Sequence, residues 1–169
     1  RLIIRKDLVD TIKDYNDLRG KRIAIVGTAS LDEISLARIL AKGQLDTRDI
    51  DLQIIRSFPD MLASLSNKSI DAAMVIEPFI TLAISKELAD PWKDPMDYDP
   101  DAQTALLVFG TTMTKNPAVA NRFMVAYIQS LRDYNEAFFK NKNKAEIVNI
   151  LCTHSVIKDP LLYEKMFPT

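Results

Sequence analysis

Three short clusters combine residue types able to hold a small polar molecule. The first is Gly27-Thr28-Ala29-Ser30, with two hydroxyls and a glycine between an apolar run and a helix-like segment. Backbone N–H groups at such a turn can meet a polar or anionic group, aided by the helix dipole. Ser30-Leu31-Asp32-Glu33 also fits a capping box, in which Ser30 and Glu33 satisfy backbone donors, and Asp32 and Glu33 would repel an anion. The second cluster is Ser57-Phe58-Pro59-Asp60, where Ser57 suits a helix cap first and a ligand contact second. The third is Glu77-Pro78-Phe79. Glu77 can receive an amine or ring nitrogen, or simply complement a helix N-terminus, and Phe79 can stack on a ring or join the core.

Other chemistry finds little support. Cys152 and His154 lie two residues apart, off a common helical face, with no second Cys/His group to complete a metal site or a nucleophile–base pair. Asp97, Asp99 and Asp101 imitate the start of a calcium loop, but the glycine and the closing glutamate are missing, position 108 being Val108. These aspartates read as a solvated acidic loop, with Trp92 as its anchor.

The elements that must position the three clusters follow from the pattern. Residues 70–76 hold six apolar side chains in seven, which suits a short strand buried on both faces. Glu77-Pro78 ends it, and the apolar run to residue 88 continues as a helix. Strands at residues 2–5, 22–26 and 52–56 and helices at 31–42, stopped by Gly43, and 58–67 complete an alternation with short links. That alternation predicts a parallel sheet with right-handed crossovers, and places all three clusters at strand carboxyl ends, where open α/β sheets hold ligands. Residues 90–101 read as a loop and 105–110 as a further apolar strand. Asn116-Pro117 then opens a long helix with Ala120, Phe123, Tyr127, Leu131, Tyr134 and Phe138 on one stripe. Two shorter helices follow at 144–153 and 160–167.

Bulk properties narrow the function. The 169 residues suffice for one domain or two small lobes, and 47% hydrophobic content supports a packed core. A net charge of −1 argues against nucleic acid, and no apolar run approaches the roughly 20 residues of a membrane span. A single cysteine leaves the compartment open. The chain opens at Arg1 without methionine or signal peptide, and its last residues follow a helical segment closely, so it is expected to be a piece of a longer protein.

The order of motifs resembles the solute-binding proteins of bacterial ABC importers, in the group handling nitrate, sulfonates, taurine and pyrimidine precursors. The resemblance rests on Leu2-Ile3-Ile4-Arg5-Lys6-Asp7, on Asp17-Leu18-Arg19-Gly20-Lys21-Arg22-Ile23-Ala24-Ile25, on Asp71-Ala72-Ala73 with Glu77-Pro78-Phe79, and on the long helix after Asn116-Pro117. It implies a type II periplasmic-binding-protein fold: an α/β lobe with a mainly parallel sheet flanked by helices, plus C-terminal helices of the other lobe. It assigns residues 1–13 to an inter-lobe crossing strand and 14–101 to the second lobe. Residues 102–115 become the return crossing strand, with Thr111 and Thr112 near the hinge, and 116–169 become helices of a first lobe whose beginning is absent.

The implied function is solute capture without catalysis, cofactor or metal, by an extracytoplasmic receptor with a membrane permease as partner. Gly27, Thr28, Ala29, Ser30, Ser57, Glu77 and Phe79 would be the ligand contacts. A homodimer through faces left open by the absent segment is a further expectation. Two alternatives share the fold: a pyrimidine-precursor biosynthetic enzyme, and the effector-binding domain of a transcription regulator.

Overall fold

The computed structural model describes residues 1–100, 105–155 and 157–166. The chain divides into two compact units, Arg1–Ala102 and Gln103–Thr169.

The first unit is a five-stranded sheet flanked by helices. Its strands are β1 (Leu2–Arg5), β2 (Arg22–Ile25), β3 (Asp51–Ile54), β4 (Ala72–Met74) and β5 (Ala89–Pro91), in the order β3-β2-β4-β1-β5. β2 runs parallel to β3 and β4, whereas β1 is antiparallel to both β4 and β5. The sheet is therefore parallel except for β1.

Alternation along the strands divides the core. Leu2, Ile4, Ile23, Ile25, Ala72 and Met74 point to the face covered by α1 (Leu31–Lys42), against Leu36, Ile39 and Leu40. Ile3, Ala24, Ala73 and Val75 point to the opposite face, under α2 (Phe58–Ser66) and α3 (Phe79–Ser85), against Met61, Leu62, Leu65, Ile80 and Ala83. Burial of each large aliphatic side chain contributes about 2 kcal/mol, so the two apolar layers hold the sheet between its helices.

β2 feeds α1 on one face and β3 on one side, while β4, on the other side of β2, feeds α3 on the opposite face. The carboxyl ends of β2 and β4 thus form a topological switch point.

Residues 90–101 hold more structure than the loop expected of them. Pro91 closes β5, an edge strand, where a missing N–H donor costs no ladder bond. Pro95–Tyr98 forms a helical turn, α4, capped by Asp94. Trp92 is buried, and its Nε1–H donates to the Ile12 carbonyl at 2.9 Å.

The second unit begins, among the described residues, with an expectation that fails. Residues 105–110 do not form a strand: no other strand pairs with them, and Leu106, Leu107 and Val108 are exposed. Apolar content alone cannot hold an extended segment whose backbone groups find no ladder. Part of the expected return strand, residues 102–104, lies outside the described residues, as do Asp101 and Phe167. Thr111 and Thr112 sit in a helical turn, α5 (Thr111–Thr114).

Pro117 then opens α6 (Pro117–Lys140), which ends at left-handed Asn141. α7 (Lys144–His154) and α8 (Pro160–Lys165) pack on its last turns, where Tyr134 and Phe138 meet Val148 and Tyr163. Phe123, Tyr127 and Leu131, earlier on the same stripe, are exposed.

Candidate functional site

The turn after β2 is built around Ser30. Its backbone is extended, and its Oγ accepts from the Glu33 N–H at 3.3 Å while donating to the Gly27 carbonyl at 2.6 Å. Glu33 reaches back as a capping-box acid does, but one residue further: its Oε2 accepts from the Ala29 N–H at 2.6 Å. Ala29 has a φ of 53°, a left-handed conformation unusual for a residue with a Cβ. Thr28 and Ala29 are exposed at the tip. Among the described residues, the N–H groups of Thr28 and Ser30 donate to no protein acceptor.

Asp32 lies in the first turn of α1, and its Oδ2 faces the Val26 N–H at 3.5 Å. Burial pushes this carboxyl up from its ordinary value, and the weak bond from Val26 only partly opposes it. An acid kept half-buried in the first turn of a helix, with one weak donor, costs stability.

The turn after β3 places Ser57 at the cap of α2, its Oγ accepting from the Asp60 N–H at 3.4 Å. Arg56, just before it, is exposed. The turn after β4 carries Glu77, whose carboxylate is used locally. Oε2 accepts from the Thr81 N–H at 3.1 Å, and Oε1 from the Thr81 hydroxyl at 3.2 Å. Glu77 therefore caps the first turn of α3, where a carboxylate also complements the helix dipole. Phe79 stacks on Phe58, with ring centroids 5.3 Å apart and planes tilted by 31°, so the β3 and β4 turns touch through their aromatics.

All seven residues singled out from the sequence lie at the carboxyl ends of β2, β3 and β4, and Gly27–Ser30 and Glu77 flank the switch point itself. Sequence reasoning placed Asp32 and Glu33 only as capping or repelling charges. It did not single out Ile76, exposed at the end of β4, or Arg56. The apolar run through residue 76 read as buried strand, although β4 stops at Met74. The single cysteine and histidine are elsewhere, on α7, where Cys152 packs in the α6–α8 cluster and His154 is exposed. Of the three aspartates resembling a calcium loop, Asp97 accepts from the Asp94 N–H and Asp99 pairs with Arg38. Among the described residues, no group of three acidic, His or Cys side chains could hold a metal ion.

The family described as NMT1/THI5-like matches residues 2–137. The chain belongs to that family. The match spans the whole sheet of the first unit and nearly all of α6. Solved structures carry the same fold. The alkanesulfonate-binding protein SsuA from Xanthomonas axonopodis pv. citri, bound to MOPS, aligns with a TM-score of 0.72 at 20% identity over 96% of this chain and 52% of that one. The periplasmic aliphatic sulphonate-binding protein SsuA from Escherichia coli aligns with a TM-score of 0.73 at 17% identity, over 99% of this chain and 52% of that one. The desulfurization enzyme DszB, as a cysteine-to-serine mutant in complex with biphenyl-2-sulfinic acid, aligns at 0.63 and 14% identity over 99% of this chain and 62% of that one. This NMT1/THI5-like chain thus has the type II periplasmic-binding-protein fold, and it spans about half the length of the SsuA structures it matches. No curated relative matches it by sequence.

Proposed function

We propose that this NMT1/THI5-like chain is part of the solute-binding component of an ABC-type importer, and that it contributes one wall of the solute site at the carboxyl ends of β2 and β4. The observation that carries the reading is the set of open backbone donors at the switch point. Thr28 and Ser30 offer N–H groups and the Thr28 hydroxyl is exposed after β2, and Glu77 follows the neighbouring strand β4. Polar backbone groups require a partner, which water provides in the empty state and a solute in the bound one. No bond need be made or broken for this role: a solute that favours the closed form stabilises it, and a permease reads closure.

The charges around the turn refine the solute class. Asp32, Glu33 and Glu77 stand at the ends of β2 and β4, and exposed Arg56 stands at the end of β3. That layout favours a small organic solute that presents an acceptor group to the open Thr28 and Ser30 N–H donors and an amine or other donor to the carboxylates, over a bare anion such as nitrate. An enzyme reading has less support, because Cys152 and His154, the single residues of their type, both lie on α7.

In this reading, residues 103–169 include helices of a first lobe, and the exposed stripe of Phe123, Tyr127 and Leu131 faces chain that the longer relatives carry. The site then operates outside the cytoplasm, against a membrane permease. Native mass spectrometry of the longest natural form of the protein, gently purified, tests the function. A retained small organic solute supports it. Turnover of the solute, or a covalent adduct, would move the enzyme reading ahead.

A further inference from the structure

The last described residues of the first unit are fastened to α1 by a charge pair. Asp99 follows α4, its side chain only 9% exposed, and its Oδ2 meets the Arg38 guanidinium on α1. That oxygen is sealed from solvent and has no hydrogen-bond partner among the described residues, so the charge of Arg38 is what balances it. Such an oxygen is costly to leave unpaired.

The rest of the strap has a small footing. Tyr98 is its buried side chain, joining the α1-side core, while Met96 is exposed. Within it, the Asp97 N–H donates to the Asp94 carbonyl at 2.9 Å and the Asp99 N–H to the Pro95 carbonyl at 2.8 Å. At the other end of the strap, Asp94 faces the Arg1 guanidinium at 3.5 Å, at the start of β1.

We infer that residues 94–99 form a latch that opens as a unit, held closed by the Arg38–Asp99 pair. The latch holds the last described residues of the first unit against α1, the helix capped by Ser30. When it opens, the chain is anchored no later than Trp92, whose ring and N–H are bound to the sheet unit independently. Residues 94–99 then come away from α1 while the sheet stays intact. A few locally paired residues on one buried side chain are the kind of segment that opens below the global unfolding free energy.

Amide hydrogen exchange on the full 169-residue chain tests this, using Arg38→Gln, Asp99→Asn and the double variant. Arg38 is half exposed, so its replacement leaves the core untouched. Expected, after correction for intrinsic rates, is roughly tenfold faster exchange at the amides of residues 97 and 99 in each single variant, no further gain in the double, and unchanged exchange at Ala24 and Ala73 in the sheet. Unchanged exchange at Asp97 and Asp99 in Arg38→Gln would overturn the latch. So would equal acceleration in the sheet, or additive effects in the double variant.

Discussion

Arg22 grips Asp71 along its whole carboxylate: Nη2 donates to Oδ1 at 2.7 Å, Nε to Oδ2 at 3.1 Å, and the Arg22 backbone N–H to Oδ2 at 2.9 Å. Arg5 adds a fourth donor to Oδ1 at 3.1 Å and a bond to the Ile70 carbonyl at 2.9 Å. Three strands, β1, β2 and β4, are thereby tied together at the end of the sheet opposite the candidate site.

Asp71→Ala strands these donors beside the core, and should lower stability by about 2–3 kcal/mol in denaturant unfolding. The acid limb should change as well. Burial pushes the Asp71 carboxyl up, but the bonds from Arg22 and the charges of Arg22 and Arg5 outweigh it, leaving the carboxyl below its ordinary value. A carboxyl held low in the folded state stabilises fully above its unfolded pKa of about 3.9, and loses that contribution as pH falls through the folded value. Stability of the wild type should therefore fall below about pH 4 more steeply than that of Asp71→Asn.

Asp32 should behave in the opposite sense. Its carboxyl is pushed up by burial, so the folded state disfavours the charge at neutral pH. Asp32→Asn, which keeps an oxygen for the Val26 N–H, should raise the thermal midpoint at pH 7. The gain should shrink as the pH drops into the carboxylate range, where wild-type Asp32 takes up its proton. Equal midpoints for variant and wild type at pH 7 would show that Asp32 is not under that penalty.

Gly43 ends α1 where the helix meets the Tyr15–Asn16 backbone. A Cβ there would lie 2.6 Å from the Tyr15 carbonyl carbon and 2.9 Å from the Asn16 nitrogen. Because the obstacle is backbone, Gly43→Ala should cost about 1–3 kcal/mol. Gly20→Ala meets open space but a φ of +71°, and should cost less, about 1 kcal/mol, in the same denaturant titration.

Glu77 and Thr28 separate capping from binding. Glu77→Gln keeps an acceptor for Thr81 and should leave the thermal midpoint within about 2 °C while weakening an amine-bearing solute. Thr28→Val removes only an exposed hydroxyl, and should weaken solute binding several-fold without loss of stability. Calorimetry on the longest natural form, with the solute that co-purifies, reads both; full retention of affinity in both variants would remove these residues from the site.

The legible part of the fold was the part governed by local pattern. Ser30, the apolar spacing of Leu36, Ile39 and Leu40, and Gly43 marked α1 at both ends, and the short links between apolar runs marked a largely parallel sheet. The antiparallel direction of β1 was not legible, because four apolar residues carry no sign of which way their neighbour runs. β5 was missed because three residues ending in proline look like loop until the β1 edge supplies hydrogen bonds. Residues 105–110 failed for the converse reason: strand-like composition without a partner. At the site, the cap at Ser30 was legible from spacing, but the reach of Glu33 to Ala29 depends on the left-handed turn at Ala29.

The claim that the carboxyl ends of β2–β4 bind a small polar solute meets its most direct test in an amide NMR titration of the 169-residue chain. The probes are taurine, MOPS, ethanesulfonate, nitrate and an aminopyrimidine. Since this chain spans about half of its structural relatives, affinity near the millimolar range is expected. The account predicts that an amine-bearing solute shifts the Thr28, Ala29, Ser30, Ser57 and Thr81 amides together, and nitrate far less. Shifts confined to other surfaces, or no shift at these amides with any probe at saturating concentration, would contradict it.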